Sequence, residues 1–179
     1  MKRKAAIIVS MLVLALAVAG CRSRTDRSEG SVLLTVSDFD GLPVQVSTRN
    51  GPYSIDEIEV RSVAKEPGGT TSALQDVELR SYEVRYSRRD VGTRVPPTMA
   101  QSIFSVVPVN GSVTLNNLPF LLSDQVLNPP LSDLRSFGVD RETNSAVVVL
   151  DVSMRFFGRT LAGDNIVSDP ARFTIEVSQ

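Results

Sequence analysis

The sequence predicts an all-β fold, an antiparallel β-sandwich of about 7–9 strands. Short runs of Val, Ile, Leu, Phe and Tyr alternate with polar residues, which is the pattern of strands buried on one face. Turn-forming residues interrupt these runs at intervals of roughly 8–12 residues, as they do in sandwiches and barrels. Helical periodicity is confined to Leu131–Phe137, between Pro130 and Gly138, so we expect one short helical turn.

Each predicted strand is a segment in which apolar and polar side chains alternate. In chain order these segments are 31–36, 44–47, 58–62, 77–87, 102–109, 112–115, 120–127, 145–157 and 173–177. The turns predicted between them contain Gly, Pro, Asn, Asp or Ser, which favour turns through their backbone preferences or their side-chain hydrogen bonds. These turns are 37–43, 50–52, 66–70, 88–100, 110–111, 128–130 and 158–170.

Three of these segments also predict a particular local feature: a bulge, a hairpin turn and a central strand. The apolar face slips by one residue between Leu79 and Tyr82, and a β-bulge near Arg80 would restore the alternation. The Asn-Gly pair at 110–111, between two apolar runs, is the strongest short signal for a hairpin. The strand 145–157 is the longest and is apolar on both faces near its start, which predicts a central position in its sheet.

The composition excludes several classes of catalytic and metal centre. The 179 residues include no His, no Trp and one Cys. A Ser-His-Asp triad, a Cys-His dyad and imidazole-ligated zinc or haem all need His, and a disulfide or a thiolate metal cage needs more than one Cys. The other residues, with 42% hydrophobic and 22% charged in the whole chain, are ordinary for a folded protein. We therefore expect no cofactor.

The first 21 residues have the organisation of an export signal. Residues 2–4 are basic, residues 5–20 are uncharged with Ser10 as their single polar member, and charged residues resume directly after Cys21. A membrane-spanning helix needs about 20 apolar residues. This shorter run, with a basic segment before it, is therefore predicted to be a secretory signal peptide.

Residues 18–21, Val-Ala-Gly-Cys, resemble the lipobox of bacterial lipoproteins, in which small residues precede a Cys that is lipidated before cleavage. The resemblance implies a signal peptide over 1–20, cleavage between Gly20 and Cys21, and acyl chains such as palmitate on Cys21. Two or more chains, at about 0.8 kcal/mol per buried methylene, hold a protein stably on a membrane. The alternatives are a plain signal peptide followed by an incidental Cys, or an uncleaved anchor.

The lipobox resemblance also implies an organisation and a location. Residues 21–30 are predicted to be the lipidated Cys and a flexible polar tether, and residues 31–179 a single sandwich domain. In Gram-negative lipoproteins an Asp after the Cys favours the inner membrane, so Arg22 implies the outer membrane, facing the periplasm or the cell surface. Without residues 1–20 the chain has 16 basic and 20 acidic side chains, a net charge of −4, which argues against nucleic acid or an anionic lipid surface as the main partner.

Two segments resemble parts of the immunoglobulin-like sandwiches of uncharacterised bacterial lipoproteins. They are the strand 82–86 (YEVRY), which precedes a Pro-containing loop, and the stretch 156–167 (FFGRTLAGDNIV) before the last strand. The resemblance implies an immunoglobulin- or fibronectin-III-like topology. The Cys…Trp…Cys core of antibody domains is absent, so an antibody-type domain is not implied.

Acidic residues supply the candidate metal and catalytic sites. Asp38 and Asp40, followed by Gly41, begin like a calcium-binding loop, and Asp164 offers an oxygen ligand in a later loop. The interpretation we prefer is a turn closed by side-chain hydrogen bonds, and no metal is assigned. Glycoside hydrolysis needs two carboxylates across a cleft, but neighbours within 56–59 alternate between faces and no pair stands out.

Two other segments are candidates for contact with a partner. The apolar stretch 118–137 is predicted to be core, with an exposed partner site as the alternative. Arg88, Arg89 and Arg94 are predicted to lie in a solvated loop, although such a group can bind carboxylates or phosphates.

The preferred interpretation of the whole chain is a non-enzymatic, membrane-anchored envelope lipoprotein that binds or scaffolds an envelope protein or a glycan. The first alternative is a carbohydrate- or calcium-binding sandwich. The second is a carboxylate-based hydrolase.

Overall fold

The computed structural model describes residues 30–40, 42 and 45–179. Within them the chain forms nine strands in two sheets around one apolar core, which confirms the predicted all-β sandwich. The predicted signal peptide, its cleavage point and Cys21 lie outside the described residues. The strands are β1 (Val32–Asp40), β2 (Gln45–Ser47), β3 (Tyr53–Ala64), β4 (Val77–Arg88), β5 (Met99–Val107), β6 (Ser112–Leu121), β7 (Val148–Thr160), β8 (Asn165–Val167) and β9 (Ala171–Ser178). The helices are α1 (Ser123–Val126) and α2 (Leu131–Phe137), with a 3₁₀ turn at Ala73–Gln75.

The smaller sheet contains three antiparallel strands in the order β1-β3-β6. The larger sheet has the order β2-β9-β7-β4-β5, and β8 also pairs with β7. All pairs of the larger sheet are antiparallel except β2 with β9, which is parallel. β7 is therefore central, as predicted, and its 13 residues extend about 40 Å.

The two sheets are joined by buried tyrosines as well as by apolar packing. The Tyr82 hydroxyl on β4 donates a hydrogen bond to the Pro119 carbonyl on β6 at 2.8 Å, and the Tyr86 hydroxyl donates to the Phe120 carbonyl. Burial raises the pKa of Tyr82 to about 12 and also raises that of Tyr86. Both hydroxyls therefore remain donors at neutral pH. Phe120 also meets Phe173 of β9 edge to face, with ring centres 5.3 Å apart.

The bulge predicted on β4 is present. The register of β4 shifts between Leu79 and Ser81 against both of its neighbours, β5 and β7. Leu79 and Tyr82 are consequently both buried, although they are three positions apart.

The turn predicted over 37–43 is wrong in its first half. β1 continues to Asp40, with a register shift between Val36 and Asp38. The Asp residues do not end the strand because this part of β1 presents them to solvent, where polar side chains carry no burial cost.

The strand predicted over 120–127 is also wrong in part. β6 ends at Leu121 and α1 follows at Ser123–Val126. Asp124 lies in the first turn of α1, where a negative charge is favourable at the positive end of the helix. The short helix predicted at Leu131–Phe137 is confirmed as α2, and Gly138 ends it in the left-handed conformation with φ 76°.

The Asn-Gly pair at 110–111 lies in a turn, but the predicted hairpin is wrong because the turn connects two sheets. It joins β5 of the larger sheet to β6 of the smaller one. Asn110 has φ 58°, and its Oδ1 accepts the Ala64 N–H at 2.9 Å. The loop predicted over 158–170 is likewise more ordered than expected, because β7 continues to Thr160 and β8 pairs back onto it.

The antiparallel registers assign each loop to one of two ends of the sandwich. The end at which the described chain begins is termed the near end, and the opposite one the far end. The near end consists of the start of β1 and the loops 65–76, 108–111 and 161–164, and the far end consists of the loop 89–98, both helices and the loop 138–147.

Candidate functional site

The far end contains six charged side chains that pair with one another. They are termed the far-end cluster and comprise Arg88, Asp90, Arg94, Asp133, Asp140 and Glu142. The side chains of Arg88 and Asp140 are only 2% and 0% exposed. Charges this deeply buried are tolerated only when they are paired and hydrogen-bonded.

Arg88 is the last residue of β4 and binds two carboxylates. Its Nε and Nη2 donate to Oδ1 and Oδ2 of Asp90 at 2.6 and 2.7 Å, which is a bidentate pair. Nη2 also donates to Asp140 Oδ2 at 3.0 Å. Arg88 therefore connects the end of β4 to the loop that follows α2.

Arg94 pairs with the other carboxylates of the far-end cluster. Its Nη2 lies 2.9 Å from both Asp140 Oδ1 and Asp133 Oδ2, and its Nε lies 3.5 Å from Glu142 Oε2. Glu142 in turn accepts hydrogen bonds from the N–H and the hydroxyl of Thr93, at 2.8 and 2.6 Å. Because Asp133 belongs to α2, these contacts fix the helix and two loops relative to each other.

The loop 138–147 folds around the Asp140 side chain. The Thr143 hydroxyl donates to Asp140 Oδ2 at 2.8 Å, and the Glu142 N–H donates to Oδ1 at 3.2 Å. Asn144 adopts φ 57°, a conformation that Asn tolerates, and its N–H returns to the Asp140 carbonyl at 2.8 Å. Asp140 thus organises the loop that presents it.

These contacts stabilise the ionised carboxylates. Burial opposes the ionisation of Asp140, but hydrogen bonds from Thr143 and Arg88 outweigh it and lower the pKa of Asp140 to about 2. The hydrogen bond from the Thr93 side chain contributes most to lowering the pKa of Glu142, also to about 2. Both carboxyl groups are therefore ionised at neutral pH, and their hydrogen bonds connect the loops.

Exposed apolar side chains project from the far-end segments that the cluster connects. Val91 directly follows Asp90 and is 90% exposed, and Phe137 at the end of α2 is 61% exposed. The Arg141 guanidinium lies 5.2 Å from the centre of the Phe137 ring. The exposed apolar residues of this end are Val91, Val95, Leu127, Phe137 and Val147. Other exposed apolar residues lie elsewhere on the domain, among them Phe104, and those of the far end form one candidate contact surface.

The apolar stretch 118–137 supplies both the core and this surface. As predicted, most of it is buried: Leu118, Phe120, Leu121, Val126, Leu131 and Leu134 belong to the core. Leu127 and Phe137 are the exceptions. The alternative interpretation, a partner site, therefore remains for these two residues only.

The prediction that the three arginines lie in a solvated loop is wrong for Arg88 and only partly correct for Arg94. The Arg88 side chain is buried and forms a bidentate pair with Asp90 of its own chain. Arg94 is partly exposed and paired, as above. Arg89 is exposed, with its Nε 3.3 Å from Asp151.

The carboxylates of the far-end cluster were not identified from the sequence, although one signal for them exists. Tyr82, Val84 and Tyr86 face the core, and Arg88 continues the same alternation. A cation on the core face of a strand requires a buried anion nearby. The sequence does not indicate which anion, because Asp140 is 52 residues away.

The structure separates the acidic candidates into two places. Asp38 and Asp40 lie on β1 directly opposite Glu59 and Glu57 of β3, whereas Asp164 lies at the near end. Hydrogen bonds from Ser112 and Ser37 lower the pKa of Glu59. Within residues 30–40, 42 and 45–179, no three Asp, Glu or Cys side chains are placed to hold a metal ion together.

These observations define the class of molecule as a two-sheet, all-β domain with a charge-paired far end. No protein-family model, no curated protein and no solved structure matches the chain. In the part of the chain that the structure describes, no helix is both long enough and apolar enough to cross a membrane.

Proposed function

We propose that this protein is a lipid-anchored lipoprotein of the bacterial cell envelope, with a non-enzymatic domain that binds a neighbouring component through its far end. The lipid would be attached to Cys21, and the domain would lie outside the cytoplasm. The proposal combines the lipobox-like residues 18–21 with one structural observation. The described chain begins at the end of the sandwich that lies opposite the far end.

The position of the chain start relative to the far end is the observation that carries the proposal. The described chain begins at the near end, where the Lys65 N–H donates to the Ser31 carbonyl at 3.0 Å. Exposed Val91 and Phe137 lie at the other end of strands about 40 Å long. An anchor that precedes residue 30 would therefore leave the far end directed away from the membrane.

The chemistry of the far end favours a protein as the partner over a glycan. Its exposed side chains are mostly aliphatic, and the chain contains no Trp, whereas glycans commonly stack on aromatic platforms. The far-end cluster fixes the segments that bear these side chains, which reduces the conformational entropy lost on binding.

Metabolic labelling tests the anchor. Cells that express the chain are given an alkyne analogue of palmitate, and the protein is fractionated with the membranes. We expect the wild-type chain to carry label in the membrane fraction, and Cys21→Ser to carry none. Label of equal intensity on Cys21→Ser would refute the lipid anchor.

Site-specific crosslinking in intact cells tests the role of the far end. A photoreactive residue at Val91 should give a discrete crosslinked product. The matched position is Arg155, which is exposed in the middle of β7. Crosslinking of equal yield and pattern from the two positions, or from neither, would refute a binding role for the far end.

A further inference from the structure

The central segments of the near-end loops contain no charged residue, and the charged residues of these loops lie at their ends. The segments 67–75 (PGGTTSALQ), 108–111 (PVNG) and 160–163 (TLAG) lack Asp, Glu, Lys and Arg. At the far end, by contrast, the segment 88–98 alone contains four charged residues. Surface loops of a soluble domain are usually polar and charged, so these segments are polar but unusually poor in charge.

Two of these loops expose leucines and are hydrogen-bonded to each other. Leu74 is 59% exposed and Leu161 is 50% exposed. The Leu161 N–H donates to the Asp76 carbonyl at 2.9 Å, and the Ala162 N–H donates to the Leu74 carbonyl at 2.8 Å. These two hydrogen bonds hold the loops against each other, and both leucines lie outside the buried core.

The charged residues around these loops are of both signs, two cations and three anions. Lys65 and Arg159 are the cations of this rim, and Glu66 and Asp164 are its exposed anions. Asp76 is half-buried and accepts the Val109 N–H at 2.8 Å. A surface of this kind would be held on a neighbour by its apolar side chains, with little net electrostatic attraction.

The position of the anchor identifies the neighbour. Residues 22–30 connect Cys21 to the near end, and nine residues extend at most about 30 Å. A lipid on Cys21 would keep residue 30 within that distance of the bilayer, and Leu74 and Leu161 lie at the same end of the domain. The far end, about 40 Å further away, could not reach it in the same orientation.

We propose that the near end rests on the phospholipid surface and inserts Leu74 and Leu161 into its headgroup region. This inference rests on the proposed lipid anchor and adds a defined orientation to it. Because the rim carries charges of both signs and a small net charge, a zwitterionic phosphatidylcholine surface suffices. The near end would then act as a second, weak membrane contact that holds the far end upright.

An environment-sensitive fluorophore tests this orientation. The lipidated chain is placed in phosphatidylcholine vesicles with the thiol-reactive dye NBD on Leu74→Cys or Leu161→Cys. The matched control is Leu127→Cys, because Leu127 is 60% exposed but lies at the far end. We expect the emission to rise at least about twofold at positions 74 and 161, relative to the same protein in vesicle-free detergent solution, with no rise at 127.

Brominated lipids provide the second measurement, since they quench only a dye that touches the bilayer. We expect quenching at positions 74 and 161 but not at 127. Equal emission and no quenching at all three positions would overturn the inference. A rise at 74 and 161 in native membranes but not in pure lipid vesicles would also overturn it, because the neighbour would then be a protein.

The parent chain distinguishes failure of this inference from failure of the anchor. A thioether-linked lipid leaves Cys21 without a free thiol, so the parent chain should take up no dye. Dye on Cys21 would refute the anchor and, with it, the inference. An unreactive Cys21 together with solvent-exposed dyes at 74 and 161 would refute the inference alone.

Discussion

We expect Arg88 to contribute more to the stability of the far end than an exposed arginine would contribute. Its side chain is 2% exposed, and it neutralises Asp140, which is 0% exposed. An exposed ion pair is screened by water and contributes little, whereas loss of one partner of a buried pair leaves an uncompensated charge.

Substitution of Arg88 tests this difference directly. Arg88→Ala should lower the free energy of unfolding by about 3–5 kcal/mol. The matched control is Arg80→Ala, whose ion pair with Glu78 lies on the surface, and it should cost less than about 1 kcal/mol. Urea denaturation measures both values, and equal losses would contradict the importance of burial.

The depressed pKa of Glu142 predicts how stability depends on pH. The pKa falls from 4.5 to about 2 on folding, so the ionised carboxylate favours the folded state above its unfolded pKa. This contribution disappears as the pH falls towards 2, and the melting temperature should fall with it.

The variant Glu142→Gln does not titrate and should show a shallower decline of melting temperature between about pH 5 and pH 2. Glu66→Gln, in an exposed loop, serves as the control and should retain the wild-type slope. Calorimetric scans across this range provide the measurement. A Glu142→Gln slope as steep as that of the wild type would show that other groups dominate the acid response.

At the scale of elements, the bulge between β4 and its neighbours forces an unusually close approach. A Cβ atom at Gly158 of β7 would lie 2.6 Å from the Glu78 carbonyl oxygen of β4. That oxygen belongs to the backbone, so it cannot rotate away as a side chain could. Glycine is therefore required at this position by space rather than by backbone angle.

Gly158→Ala should consequently cost about 1–3 kcal/mol by overpacking. Gly69→Ala is the comparison, because a Cβ there would lie no closer than 3.4 Å to any neighbour, and it should be nearly neutral. Chemical denaturation of the two variants measures both changes in the free energy of unfolding. A neutral Gly158→Ala would mean that the strands separate at the bulge without cost.

The elements also show which features a sequence can and cannot reveal. The bulge was predictable because the parity of Leu79 and Tyr82 records directly which face each residue occupies. The extension of β1 through Asp40 was not, because an exposed strand face accepts the same residues as a turn. The pairing of Arg88 with Asp140 could not be predicted from the sequence, because it depends on how two sheets and a helix pack together.

At the scale of the whole molecule, the order of the larger sheet predicts where the chain is most resistant to opening. β4 and β7 are each paired on both sides, and their core-facing residues are almost fully buried. β2 has three residues and pairs on one side with β9. Amides exchange with solvent at rates set by the cost of opening the structure around them.

Hydrogen exchange should therefore be slowest in the middle of β4 and β7 and fastest in the loops and in β2. Mass spectrometry of peptides covering 80–86 and 150–156 measures the slow class, and peptides covering 45–50 and 66–72 the fast class. Faster exchange in β7 than in β2 would contradict the central position of β7.

The parallel pairing of β2 with β9 connects the beginning of the domain to its end. Gln45 pairs with Glu176, so this contact cannot form before nearly the whole chain is present. If a polypeptide crosses a translocation channel N-terminus first, β2 would reach the outside before β9, the strand with which it pairs. On the proposed route, Cys21 would meet the lipid-modifying enzyme while the larger sheet is still incomplete. If the chain is exported as proposed, the larger sheet would close only after residues 171–178 have also crossed.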